Sequence, residues 1–395
     1  MNTRYYEFFC PVKVIAGQAA LEHIPFELSS RAASRPMIIT DKGVRGAGLL
    51  EPVISACEES DQEIVAIYDD VPPDSSTDVV RAIAAIYRQE KCDSIIAIGG
   101  GSAIDTAKAV NILVSEGGDD IAEYAGAGVL KRPLKPFFVL PTTAGTGSEV
   151  TSVAVIADTR KQVKLPYSSP FLLPDVAVID PRMTLTLPPH ITAATAMDAM
   201  THATEAFTCL QKNPLSDAYA AAAVRKISDN LLKVMDSPKD SEGRLELAQA
   251  STMAGIAFSN SMVGLVHSLG HSVGALCHLP HGLCMSLLLP YVLEFNLERI
   301  REPLGELLLH LAGPDVYALT PHAQRAEESI ATIRKLRDEL HKRCKLPRTL
   351  KETGKVEESQ LDRIAEMALD DGSIMFNPRE VSLADARAVL QNAWG

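Results

Sequence analysis

Asp198, His202, His267 and His281 have the residue types and spacing to hold a metal ion. Asp198 and His202 stand at i and i+4 in AMDAMTHATEAF, so one turn of helix puts both side chains on one face. In GLVHSLGHSVGALCHLPHG the same spacing joins His267 to His271, and His281 follows directly after Pro280. Two such helical faces can converge on one ion. A carboxylate with imidazoles and no thiolate suits a borderline divalent ion such as Fe²⁺ or Zn²⁺. Cys277 and Cys284 lie nearby, but nothing in their spacing demands them as ligands. The competing reading is a set of ordinary histidines hydrogen-bonded in a helical core. It fits less well, because four of the chain's ten histidines fall between His267 and His281 in a segment otherwise apolar and glycine-rich.

Two architectures must position these residues. The first half alternates short apolar runs (PMIIT, EIVAIYDD, DSIIAIGG, PFFVLPTT, DVAVIDP) with helical patterns, the rhythm of a parallel sheet with crossover helices. Beyond about Leu185 the chain turns to long Ala-, Leu- and Met-rich segments of helical periodicity. The consecutive prolines of LTLPPH mark the change, which predicts an α/β domain over 1–185 and an all-α domain over 186–395. With 395 residues, 46% of them hydrophobic, the chain is long enough for two cores.

The N-terminus has no basic segment followed by an apolar one, and no run of about 18 apolar residues occurs, so neither secretion nor membrane spanning is expected. Seven cysteines, scattered without paired spacing, point to the reducing cytoplasm. A net charge of −12 opposes binding to nucleic acid or anionic membrane and favours small-molecule partners. The charged stretch RAEESIATIRKLRDELHKR is a solvated helix face.

Within the first half, the run Ser94 to Ile98 leads into Gly99, Gly100, Gly101 and Ser102 and then a helical AIDTAKAV. Strand, glycine turn and helix N-terminus together let backbone N–H groups approach a pyrophosphate. The spacing departs from GxGxxG, and a tight turn requiring positive φ would account for the glycines equally well. A second polar loop, Pro141 to Glu149, also follows an apolar strand and would face the same crevice. Asp41 follows the strand PMIIT. There its carboxylate can accept hydrogen bonds from an adenosine ribose and repel a 2′-phosphate, favouring NAD over NADP, or simply cap a helix.

Taken together, GGGSAIDTAKA, PTTAGTGSEVT, AMDAMTHATEAF and GLVHSLGHSVGALCHLPHG resemble the signature set of the iron-containing, group III alcohol dehydrogenases, from about residue 6 to the closing DDGSIMFNPREVS. The resemblance implies an N-terminal NAD(P)-binding α/β domain, a helical domain holding one divalent metal, and hydride transfer in the cleft between them. It assigns Asp198, His202, His267 and His281 as metal ligands and His271 as the histidine near the nicotinamide. Gly99, Gly100, Gly101, Ser102 and Asp105 match the pyrophosphate loop, and Asp41 the ribose contact. Thr142, Thr143 and Ser148 match the second cofactor loop, and Lys164 a cofactor-contacting lysine. Val153, Phe258, Val263 and the segment near Ser373 and Ile374 match the substrate pocket, whose mainly apolar character favours short primary alcohols and aldehydes.

The expected chemistry is hydride transfer to NAD from an alcohol polarised by Fe²⁺, with Zn²⁺ or another divalent ion as substitutes. His271, one helical turn from His267, reads as a proton relay, with a fifth metal ligand and a structural histidine as the alternatives. The resemblance also implies a homodimer or larger assembly. Rival readings are a polyol dehydrogenase acting on 1,2- or 1,3-propanediol or glycerol, and a noncatalytic NAD- or metal-binding assembly protein. The second rival requires a broken site, and no motif position is broken.

Overall fold

The computed structural model describes residues 5–161 and 163–395. The chain divides into two compact units, one of residues 10–187 and one that joins residues 5–9 to 188–395. The division falls beside the consecutive prolines Pro188 and Pro189.

Among the described residues of the first unit nine strands run in chain order: β1 (Lys13–Ala16), β2 (Pro36–Ile39), β3 (Ala66–Tyr68), β4 (Ser94–Gly99), β5 (Gly126–Ala127), β6 (Phe137–Pro141), β7 (Val153–Asp158), β8 (Val163–Ser168) and β9 (Val176–Ile179). Between them stand helices α1 (Ile24–Ser30), α2 (Lys42–Gly46), α3 (Glu51–Glu58), α4 (Thr77–Gln89) and α5 (Gly101–Glu116). Six strands form one sheet in the order β1-β9-β6-β4-β2-β3, every pairing parallel. The five apolar runs expected as strands all lie in it.

The two faces follow from the strand period of two. Met37, Ile39, Ile95, Ala97, Phe137 and Val139 enter one core cluster with residues of α4 and α5. The alternate residues Ile38, Ile96, Ile98, Phe138 and Leu140 enter the other cluster with residues of α1 and α3. From β2 the chain adds β3 on one side and then returns to place β4 on the other. The carboxyl ends of β2 and β4 therefore flank the position where such a sheet opens a ligand crevice.

Strand β1 and a small second sheet, β5-β8-β7, were not expected. In the small sheet β7 and β8 pair antiparallel, with Val153 opposite Ser168 and Asp158 opposite Val163.

The second unit is helical: α6 (Pro189–Thr208), α7 (Pro214–Asp236), α8 (Ser241–Ser259), α9 (Leu265–Cys277), α10 (His281–Leu319), α11 (Arg325–Cys344), α12 (Leu361–Leu369) and α13 (Leu383–Trp394). Helix α6 is buried on almost all sides, which its run of Ala, Thr and Met permits. Helix α10 contains Pro290 and Pro303 and leaves helical geometry at Gly313, where φ is 85°. The segment 5–9 packs on this unit. Asn260 Oδ1 accepts from the Phe9 amide at 2.6 Å, its Nδ2 donates to the Phe9 carbonyl at 3.3 Å, and the Phe8 and Tyr219 rings stack at 5.8 Å. Among the described residues no helix is long and apolar enough to cross a membrane.

Candidate metal centre and cofactor loops

Three helices of the second unit bring the four expected ligands together. Asp198 and His202 project from one stripe of α6, His267 from the first turn of α9, and His281 opens α10. The turn between α9 and α10 is made by His278 in the left-handed region (φ 53°) and by Pro280, which precedes His281. One donor atom from each of the four residues lies within 4.8 Å of the others. His281 Nε2 stands 3.3 Å from Asp198 Oδ1, and His202 Nδ1 4.0 Å from the same oxygen. The His202 ring is clamped between Phe258 and His267, with ring centroids 4.3 and 4.7 Å away.

The chemistry of these atoms fits a cation. His202 Nδ1 and His267 Nε2 are buried and have no hydrogen-bond partner, a costly state for two acceptors unless an electron-pair acceptor sits among them. Burial lowers the His202 pKa to about 3, with His267 and His281 pushing the same way against Asp198. Burial, with His281 and His271, also holds His267 well below its ordinary value. For Asp198 burial pushes upward, but His281 and His202 outweigh it and hold the carboxyl below its usual range. Neutral imidazoles beside an ionised carboxylate are the protonation states in which these side chains ligate metal.

His271 stands apart from this quartet. Its side chain is 43% exposed, and its Nδ1 lies 2.8 Å from Asp371 Oδ2. Its ring stacks on His281 at 5.3 Å and meets His267 edge-on at 5.7 Å. Asp371 was not read from the sequence as a functional residue. Its other oxygen accepts from Ser373 N at 2.8 Å, so DDGS reads locally as ordinary cap chemistry.

Glu205 was missed as well. It continues the α6 stripe of Asp198 and His202 by a further turn, and its carboxylate is buried against His267 Nδ1 at 2.5 Å. Burial raises this carboxyl to about 7, opposed by amides at the start of α9. The spacing i, i+4, i+7 was a readable signal for it.

In the first unit the expected cofactor residues other than Lys164 gather at the carboxyl ends of β2, β4 and β6. Asp41 caps α2, with Oδ1 accepting from Val44 N at 3.0 Å, while Oδ2 faces the Cα of Gly99. Helix α5 starts at Gly100 with no side-chain cap, which leaves its first amides available to an anion. Gly99, Gly100 and Gly101 do not have positive φ, so the tight-turn explanation for them fails. They are glycines because of close approach. A Cβ on Gly99 would stand 2.6 Å from that of Ala103, and one on Gly101 would stand 3.2 Å from Thr146 Cγ2. A Cβ on Gly100 would stand 3.4 Å from Thr143, and Thr142 N bonds to Gly99 O at 3.0 Å, so the two loops are packed against each other.

Not every matched residue has a free polar group. Ser148 Oγ donates to Asp105 at 2.9 Å, and the other Asp105 oxygen accepts from Val155 N at 3.0 Å, both inside the unit. Below them Lys108, fully buried, donates to Thr151 O, Thr151 Oγ1 and Val153 O at 2.8, 3.1 and 2.9 Å. Ser102 is exposed, and its carbonyl accepts from Thr106 Oγ1 at 2.7 Å. Lys164 lies on β8, paired with Asp74 at 2.8 Å. Of the residues matched to the substrate pocket, Val153 is exposed on β7 and Phe258 covers His202, while Val263, Ser373 and Ile374 are half-buried.

The family model for iron-containing alcohol dehydrogenase matches residues 11–181, and the model for the C-terminal part of the same family matches residues 192–394. The chain belongs to the iron-containing alcohol dehydrogenase family. Among curated members of this family, the NAD-dependent methanol dehydrogenase of Bacillus methanolicus is 35% identical over 98% of this chain and 99% of its own length. The 1,3-propanediol dehydrogenase of Klebsiella pneumoniae is 34% identical over 100% of both chains. Among solved structures, a 1,3-propanediol oxidoreductase superposes with a TM-score of 0.94 at 33% identity, covering 99% of this chain and 100% of that one. The alcohol dehydrogenase from Oenococcus oeni gives 0.92 at 32% identity, covering 99% and 100%.

Proposed function

We propose that this iron-containing alcohol dehydrogenase family member transfers hydride between NAD(H) and a short primary alcohol or aldehyde. In this reading Fe²⁺ is held by Asp198, His202, His267 and His281, and Zn²⁺ or another divalent ion can substitute. The observation that carries the reading is the convergence of four donors, two of them buried nitrogens with nothing to bond. When bound, the ion supplies Lewis acidity toward the alcohol oxygen and NAD supplies the hydride acceptor.

The chain's own residues do the rest. Burial keeps His202 and His267 neutral, each with one unprotonated ring nitrogen, so they ligate rather than repel. His271, oriented through Nδ1 by Asp371, presents Nε2 to carry the alcohol proton to solvent. The uncapped start of α5, with Gly99 to Gly101 and the Thr142–Thr143 loop, receives the pyrophosphate, and Asp41 the adenosine ribose. Seven free cysteines fit a cytoplasmic enzyme.

A diol is the second reading, favoured by the propanediol enzymes among the relatives. Against it, Phe258 beside the centre and Val263 offer no hydrogen bond to a second hydroxyl. Rates with ethanol, butanol, 1,2-propanediol, 1,3-propanediol and glycerol, measured side by side, separate the two. Chelation is expected to abolish turnover and Fe²⁺ to restore it. Full activity in a chain shown by elemental analysis to be metal-free would overturn the proposal.

A further inference from the structure

We infer that Glu205 is a positioning residue for the metal centre: its carboxylate selects the tautomer of His267 that turns an unprotonated Nε2 toward the other three ligands. The inference rests on the ligand assignment proposed above and adds to it a residue outside the quartet.

Both oxygens of Glu205 are committed, and to different donors. Oε1 accepts from the backbone amide of Val266 at 2.8 Å, and Oε2 meets His267 Nδ1 at 2.5 Å. An amide nitrogen can only donate, so Oε1 must accept, and in the ionised form, which a cation at Nε2 favours, the carboxylate accepts at Oε2 as well. His267 therefore carries its proton on Nδ1 and leaves Nε2 as a lone pair, the atom that is buried with no partner. The same carboxylate places the ring along the helix. Helix α9 begins at Gly264, which has no side chain to cap it. Its first amides bond instead to distant side chains, Leu265 N to Asn377 Oδ1 at 3.3 Å and Val266 N to Glu205. A Cβ on Gly264 would stand 3.2 Å from Glu205 Oε1 and 3.1 Å from Asn377 Oδ1, so the glycine makes room for both caps. Carboxylate, imidazole and ion in line is the arrangement that fixes a ligand's orientation and raises its basicity.

The substitution Glu205→Gln tests the selection of tautomer. A glutamine side chain has one oxygen and one NH₂, so it cannot accept from both Val266 N and His267 Nδ1. If its oxygen stays on Val266, its NH₂ faces Nδ1 and drives the proton to Nε2, where it blocks ligation. Co²⁺ affinity, measured on the full-length apoprotein by competition with a chromogenic chelator, is expected to fall about 10- to 100-fold. The circular dichroism spectrum should be retained. In wild-type apoprotein labelled with ¹⁵N-histidine, at a pH where Glu205 is ionised, His267 should show the Nδ1-protonated tautomer. An unchanged Co²⁺ affinity in Glu205→Gln beside normal binding in the wild type would overturn the role of Glu205 alone. So would a wild-type His267 protonated on Nε2, a measurement that does not depend on the variant folding. A wild-type chain that binds neither Co²⁺ nor Fe²⁺ would overturn the ligand assignment, and this inference with it.

Discussion

Gly282→Ala should disable the metal centre without replacing a ligand. Gly282 is the second residue of α10, next to His281, and lies where that helix crosses α6. A Cβ there would stand 2.5 Å from the Ala194 carbonyl oxygen, 2.9 Å from its carbon and 3.3 Å from Asp198 Cβ. The first two obstacles are backbone, so no rotamer change relieves them. Reaching an ordinary contact of 3.4 Å requires the start of α10 to retreat by about 0.9 Å. His281 moves with it, whereas ligand distances at a metal site hold within about 0.2 Å. The affinity for Fe²⁺ or Co²⁺ should therefore fall at least about 100-fold, equivalent to about 2.8 kcal/mol. Overpacking should cost about 1–3 kcal/mol of stability, leaving a folded chain. The control is Gly274→Ala on α9, where a Cβ meets only Leu279 O at 3.4 Å and Cys284 Sγ at 3.9 Å. That variant should bind metal normally and gain up to about 1 kcal/mol in helix propensity. Chelator competition and urea unfolding on both variants provide the test. Gly282→Ala with wild-type metal affinity would refute the argument that this crossing sets the position of His281.

Asp41→Asn keeps an oxygen to cap α2 through Val44 N while removing the charge, so it isolates the electrostatic part of cofactor choice. The ratio of kcat/KM should shift toward NADP by about one to two powers of ten, and an unchanged ratio would mean that Asp41 acts only as a cap. His271→Ala should keep its metal and its NAD affinity yet lose about 10²- to 10⁴-fold in turnover. Lost metal would identify His271 as a ligand, and normal turnover would assign it to structure. Burial lowers the Lys108 ammonium from 10.5 to about 8, against the pull of Asp105 and Glu149. The unfolded chain then holds a proton that the folded chain has released between those values, so this residue makes stability rise from pH 8 to 10.5 by about 3 kcal/mol. Below pH 8 both states are protonated and the full penalty remains. Urea midpoints across that range should lose this component in Lys108→Met, and parallel curves for the two proteins would contradict it.

The residues that could be found from sequence are those whose signal is local. The strands β2, β4, β6 and β9 are buried on both faces, so their apolar runs are nearly continuous. The pairs Asp198 with His202 and His267 with His271 announce themselves through helical spacing. What escaped depends on contacts far apart in the chain. In β7 and β8, Val153, Val155 and Val163 face outward, which spoils the expected match between apolar residues and core. Glu205 shares the helical spacing of Asp198 and His202, but its role shows only once α9 is docked beside α6, since its partner is 62 residues away. Asp371 is 100 residues from His271, and its local appearance is that of a turn. The glycines of the 99–101 loop lie at the junction of β4 and α5, and part of the reason they are glycines is out of reach of the sequence. No single-segment reading could show that the neighbouring loop at Thr143 and Thr146 would occupy the space of their missing side chains.

The seating of residues 5–9 on the helical unit governs the order in which the protein can be completed during synthesis. Phe9 and Asn260 are 251 residues apart. At about 5–20 residues per second, the ribosome needs roughly 13–50 s to produce the second after the first. For the last part of that interval, once residue 187 has been made, the parallel-sheet unit has all of its residues and can close before Asn260 arrives. The Phe8 ring and the Phe9 backbone meanwhile lack the Tyr219 and Asn260 partners they meet in the finished fold. A nascent chain halted after residue 187 should therefore present a finished sheet domain carrying an aromatic, protease-sensitive tail. Protection of that tail should begin only when α7 and α8 emerge.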